Sequence, residues 1–185
     1  MAGPSEQAFE TAICDSLTSA GGYLTAKVWN AADRDDDFSA DLALDTAELF
    51  AFIGATQGEE WEKVRKSHSS ADEAQRAFAS RVAKELDSRG TVDVLRHGVV
   101  YAGHEKAEFR LAYFRPASGL NADLEAKYQA NRLTVTRQLP YDPSSTKTVD
   151  VGLFLNGIPV ATAEIKNHLT GQTAEDAKAQ YRRDR

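Results

Sequence analysis

The stretch Asp150–Lys166, DVGLFLNGIPVATAEIK, carries two apolar runs, Val151–Leu155 and Ile158–Ala163, on either side of Asn156-Gly157. Asn-Gly accepts the positive φ angles of a tight reversal, so the stretch predicts a buried antiparallel hairpin. Asp150 stands at its start; Glu164 and Lys166, at its end, share a face because strand side chains alternate with period two. Two carboxylates and an ammonium at one sheet edge have a chemical use. The carboxylates can hold Mg²⁺, which neutralises a phosphodiester and lowers the pKa of a bound water, while the lysine orients that water or stabilises charge. A plainer reading makes Asp150 a turn residue and leaves Glu164 and Lys166 on the solvated face of an amphipathic strand, since acid-X-Lys is common in charged sequences.

Parity separates the two. A loop of Asn156-Gly157 alone sets Leu155 opposite Ile158 and Asp150 opposite Ala163, which puts Asp150 and Glu164 on opposite faces. A three-residue loop, Leu155 to Gly157, or a bulge returns them to one face. The metal reading therefore predicts the longer turn.

The remaining sequence bounds this picture. A chain of 185 residues with 42% apolar side chains is long enough for a full core and reads as one α/β domain spanning residues 1–185. No run reaches the length of a membrane span, and MAGPSEQAFE has neither the positive start nor the apolar stretch of a secretory signal. The single cysteine, Cys14, excludes an internal disulfide, no Cys/His spacing suggests zinc, and a reducing cytoplasm is the expected compartment. A formal charge of -6 argues against a protein that grips DNA by charge alone. Charge is uneven, however: Asp33–Asp37 is an acidic run read as a solvated loop, whereas Lys178, Arg182, Arg183 and Arg185 gather near the end.

Taken in order, Ser5 is a plausible N-cap for a helix whose Phe9, Ile13 and Leu17 repeat every four residues, with Glu6 and Glu10 on its wet face; Glu10 is also a candidate extra metal ligand. Asp41–Ile53 supplies core residues and a short helix capped by Asp45 or Thr46, which Gly54-Ala-Thr-Gln-Gly58 breaks. That glycine segment lacks the Gly-Lys-Ser/Thr of a phosphate loop. Glu59–Lys66 reads as a short helix on Trp61, and Phe78, Val82 and Leu86 mark a longer one ending at Gly90. Strands are expected at Val92–Leu95, Val99–Tyr101, Phe109–Tyr113 and Leu133–Leu139, a turn at Pro116–Gly119 and a short helix at Asp123–Ala130. His97 and His104 read as turn and surface residues. Thr173 can cap a last helix with Ala174, Ala177 and Tyr181 inward and Gln180 beside them; it is still running at Arg185, which reads as a fragment cut from something longer.

The runs NRLTVTRQLPY, VDVGLFLNGIPVATAEIKNHLTGQ and EDAKAQYRRDR, preceded by LFAFIGATQ, ELDSRGTVDVLRHGV and YFRPASGLN, resemble the N-terminal endonuclease domain of type I restriction enzyme R subunits over nearly the whole chain. That family is a branch of the PD-(D/E)XK nucleases, and the resemblance implies a restriction-endonuclease-like core, a central mixed β-sheet flanked by helices. By the same resemblance Asp150 and Glu164 match the Mg²⁺ ligands, Ile165 offers its backbone carbonyl to the metal, and Lys166 matches the catalytic lysine. Val149 stands where the superfamily name has proline, which is usual in this branch. The family's helix motif places a tyrosine four residues after a glutamine; here Gln180 is followed at that spacing by Asp184, with tyrosine already at 181. Gln180 and Tyr181, with Arg182 and Arg183, are accordingly expected near the DNA backbone or the catalytic lysine.

The resulting expectation is a cytoplasmic, prokaryotic, Mg²⁺-dependent endonuclease domain acting on duplex DNA. Its implied partners are the helicase-type motor region of the same subunit, which is where ATP would bind, and separate modification and specificity subunits; no membrane is involved. Two rivals stand beside it: a PD-(D/E)XK nuclease of repair or junction cleavage, and a catalytically idle docking module. Retention of Asp150, Glu164 and Lys166 argues against the idle module.

Overall fold

A computed structural model of the chain describes residues 6–28, 38–142 and 147–165, together with residues 175, 176, 178, 179 and 182. In chain order the elements are α1 (Glu6–Ser19), β1 (Thr25–Val28), β2 (Phe38–Ser39), β3 (Leu44–Asp45), α2 (Thr46–Thr56), α3 (Gly58–Arg65), α4 (Ala71–Arg89) and α5 (Thr91–His97). These are followed by β4 (Val99–Ala102), β5 (Lys106–Phe109), α6 (Ala122–Gln129), β6 (Leu133–Pro140), β7 (Thr148–Leu155) and β8 (Ile158–Ala163). The architecture is mixed α/β. The chain divides into two compact units, one of residues 1–35, 133–153 and 161–185, the other of residues 36–132 and 154–160.

The first unit is built on a four-stranded sheet in the order β1-β6-β7-β8. β1 runs parallel to β6, with Thr25 opposite Thr134 and Val28 opposite Arg137, while β7 and β8 form the expected hairpin, so the sheet is mixed as predicted. Helix α1 covers one face: Cys14, Val135, Val151 and Ile165 make a small core, flanked by Ile13, Leu17, Tyr23 and Leu153. The buried stripe of α1 is rotated from the one its apolar residues suggest. Glu10 and Cys14 are buried and Phe9 is 53% exposed, because Glu10 has a charged partner beneath the helix and so goes under at little cost.

The second unit is mainly helical. Asp45 caps α2, its Oδ1 accepting from the N–H of Glu48 at 3.1 Å, and Leu49, Phe52 and Ile53 are fully buried. Helix α2 passes through Gly54 and ends at Thr56, within the Gly54–Gly58 segment expected to break it; an interior glycine costs about 1 kcal/mol, less than the burial of that apolar face returns. The change of direction falls at Gln57, φ -147. The Phe78 side chain on α4 centres an aromatic cluster with Phe109, Trp61, Phe50 and Tyr101. Val92–Leu95 is helical, within α5, and not a strand: Gly90 and Gly98, at φ 81 and 74, bracket one short helix, and a four-residue stretch with three apolar side chains is too short for periodicity to decide its type. The strand expected at Phe109–Tyr113 starts earlier and ends at Phe109, although Leu111 and Ala112 remain buried.

The hairpin turn is the two-residue kind, with Asn156 at φ 53 and Gly157 at φ 78. The longer turn expected from the metal reading is not formed. Within the second unit this turn is wholly enclosed. Asn156 is 0% exposed; its N–H donates to Arg132 O at 2.8 Å, its Oδ1 accepts from the Arg132 N–H at 2.7 Å, and its Nδ2 donates to Leu111 O and Asn131 Oδ1. A Cβ on Gly157 would lie 2.1 Å from Asp45 O, so backbone packing, as well as the positive φ, requires glycine.

Candidate active site

The two-residue turn places Val151 opposite Thr162 and would send Ile165 to the face away from Val151 if β8 continued regularly. It does not continue. β8 stops at Ala163, and Ile165 packs in the same small core as Val151. The alternation therefore slips by one residue past Ala163. This slip, which the sharing of a face by Asp150 and Glu164 needs, lies at the end of the hairpin and not at its tip.

At the slip the Ile165 N–H donates to Asp150 Oδ2 at 2.6 Å. Ile165 is buried, and Asp150 and Glu164 are half-buried. A side-chain carboxylate thus takes over the backbone N–H left over where the strand ends, and it couples the first acid of the hairpin to the segment that carries the second. Lys166, Gln180, Tyr181 and Arg183 lie outside the described residues, as do Ser5, Asp33–Asp37 and Thr173; Arg182 is helical and exposed.

Glu10 is neither wet nor beside these acids as a third ligand. Its Oε2 is 3.2 Å from Arg137 Nε, and its Oε1 accepts from Gln138 Nε2 at 3.1 Å. Among the described residues no three His, Cys, Asp or Glu side chains are grouped to hold a metal ion. The donors that the resemblance implies, the Asp150 and Glu164 carboxylates and the Ile165 carbonyl, are all hard oxygens, and such a set suits Mg²⁺, which keeps most of its waters and takes one or two carboxylates from a protein. The residues present fit that ion. Cys14 does not compete as a ligand: burial pushes its thiol up, further than nearby Arg137 pulls it down, and metal binding needs the thiolate.

A cleft of about 770 Å³ in the second unit contains none of the expected site residues. Of its three lysines, Lys63 is matched by Glu60 at 2.5 Å and Lys106 by Glu108 at 2.6 Å, while Lys127 lies over the Tyr113 ring, 5.6 Å from its centroid.

The family model of the type I restriction enzyme R protein N terminus matches residues 4–185. The chain belongs to this family. Comparison with curated proteins and with solved structures matches nothing. In this R-protein N terminus Arg137, Gln138 and Thr148 form a polar group around Glu10 that was not among the expected site residues. Gln138 Oε1 accepts from Thr148 Oγ1 at 2.9 Å. Only the pattern of an Arg-Gln pair inside an apolar strand hinted that something polar is buried there. Among the described residues of this R-protein N terminus, no helix is long and apolar enough to cross a membrane.

Proposed function

We propose that this R-protein N terminus is the nuclease domain of a type I restriction enzyme, a restriction-endonuclease-like domain that hydrolyses duplex DNA with Mg²⁺. The observation that carries the reading is the Asp150–Ile165 hydrogen bond: it draws the two ends of the hairpin together beside the two acids that the reading takes as metal ligands. Asp150 Oδ1, the Glu164 carboxylate and the Ile165 carbonyl would hold the ion, which when bound supplies positive charge at the scissile phosphate and acidifies a water.

The chain's own residues do the rest. Asp150 gives one oxygen to the Ile165 N–H and keeps the other for the cation, so its carboxylate stands in one rotamer before any ligand arrives. Lys166, two positions beyond Glu164, brings a compact ammonium to the phosphate or to the attacking water. Gln180, Tyr181, Arg182 and Arg183 contribute polar and basic contacts to the DNA backbone, which position without reading sequence. With a net charge of -6, the domain depends on partners to deliver DNA: a helicase-type motor region of the same subunit, driven by ATP, and modification and specificity subunits that recognise the site, all in the prokaryotic cytoplasm.

The test is DNA cleavage by the assembled enzyme with Mg²⁺ and ATP, comparing the parent with Glu164→Ala. Loss of cutting with ATP-driven translocation intact supports the reading; cutting at the parent's rate refutes it.

A further inference from the structure

In a regular strand neighbouring side chains leave opposite faces, so Arg137 and Gln138 of β6 should not reach one group. They do. Arg137 Nε lies 3.2 Å from Glu10 Oε2, and Gln138 Nε2 donates to Glu10 Oε1 at 3.1 Å. The alternation is broken by the backbone of Gln138, whose φ of 52 is in the left-handed region. A glutamine enters that region at a cost, and such outliers persist where the surroundings over-determine them.

The other end of the same amide is also engaged, for its Oε1 accepts from Thr148 Oγ1 at 2.9 Å. Thr148 opens β7 and precedes Asp150 by two positions, so the two residues leave the same face of the strand. One side chain thus spans three elements: α1 through Glu10, β6 through its own backbone, and β7 through Thr148. The far anchor is firm, since Glu10 is 4% exposed and held by Arg137 as well.

We propose, resting on the nuclease reading above, that Gln138 is a positioning residue for the site: its amide ties the opening of β7 to buried Glu10 and so fixes where the Asp150 carboxylate stands. The residue type follows from the two partners. Glu10 offers only acceptors and needs a donor, whereas the Thr148 hydroxyl donates and needs an acceptor; an amide presents one of each. A glutamate would set carboxylate against carboxylate, and an asparagine, one methylene shorter, would accept the left-handed backbone but not span both partners.

The experiment uses the 185-residue chain and Mg²⁺ alone, titrated calorimetrically, with hydrogen exchange read at the amides of Val149 to Val151. Gln138→Asn and Thr148→Val are expected to bind Mg²⁺ about tenfold more weakly than the parent, the usual effect of removing a group that orients a ligand, and to exchange faster at those amides. Thr148→Ser keeps the hydroxyl and should restore both. Parent-like affinity and parent-like exchange in Gln138→Asn and Thr148→Val would overturn the positioning role alone. A parent chain that takes up no Mg²⁺ would instead overturn the nuclease reading, and the positioning role with it.

Discussion

The N–H of Ile165 donates to Oδ2 of Asp150 across 2.6 Å, so the residue just past the second acid is held by the first. The bond gives Asp150 a structural duty, satisfying a backbone donor, beside the metal-binding role proposed for it. Substitutions at Asp150 should therefore separate an effect on stability from an effect on activity.

Asp150→Ala leaves the Ile165 N–H without its acceptor, and a buried donor so exposed costs about 1–3 kcal/mol. Asp150→Asn retains an acceptor oxygen in the same place and should unfold in urea close to the parent. Equal urea midpoints for Asp150→Ala and Asp150→Asn would show that the hydrogen bond contributes nothing.

Glu10→Ala should destabilise the fold by about 3–5 kcal/mol, because it strands a buried guanidinium. Arg137 is 13% exposed and Glu10 6% at their side chains, so water does little to relieve either charge. Chemical denaturation of Glu10→Ala beside Glu6→Ala checks this; Glu6 is not among the buried residues of the same helix, and its loss should cost far less.

Gly157→Ala should cost about 3 kcal/mol or more, combining a left-handed backbone with overpacking. The added methyl would meet Asp45 O at 2.1 Å and Leu49 N at 2.7 Å. Differential scanning calorimetry would register a large fall in Tm. A change within error would mean that the turn is not enclosed.

Burial raises the phenol pKa of Tyr23, Tyr101 and Tyr113 above the ordinary value of 10.0. Because the folded state holds these protons after the unfolded chain has released them, stability from this source is complete below pH 10.0 and is lost as pH rises beyond it. Near-ultraviolet titration should find these three among the late-ionising members of the six tyrosines, and urea midpoints should fall with pH in that range.

The hairpin was legible because Asn-Gly between two apolar runs is a local signal, and the caps at Asp45 and Gly90 were legible for the same reason. What failed depended on tertiary context. Val92–Leu95 was too short for its pattern to choose between helix and strand. The burial of Glu10 could not be read from α1 alone, since its partners Arg137 and Gln138 are distant in sequence and one of them sits in a left-handed conformation that no residue of the stretch announces. Parity placed the needed change of register at the hairpin tip, but the turn stayed at two residues, and it is strand β8 that ends early, at Ala163.

The central claim, that Asp150 and Glu164 serve one Mg²⁺-dependent cutting site, is tested most directly by strand cleavage in the assembled enzyme with Mg²⁺ and ATP, using Asp150→Asn and Glu164→Gln. Both variants keep the shape of the parent side chain and remove one charge from the donor set. The account predicts that each translocates DNA as the parent does and that neither cuts, a loss of at least about a hundredfold in rate. Cleavage by either variant at the parent's rate would contradict it.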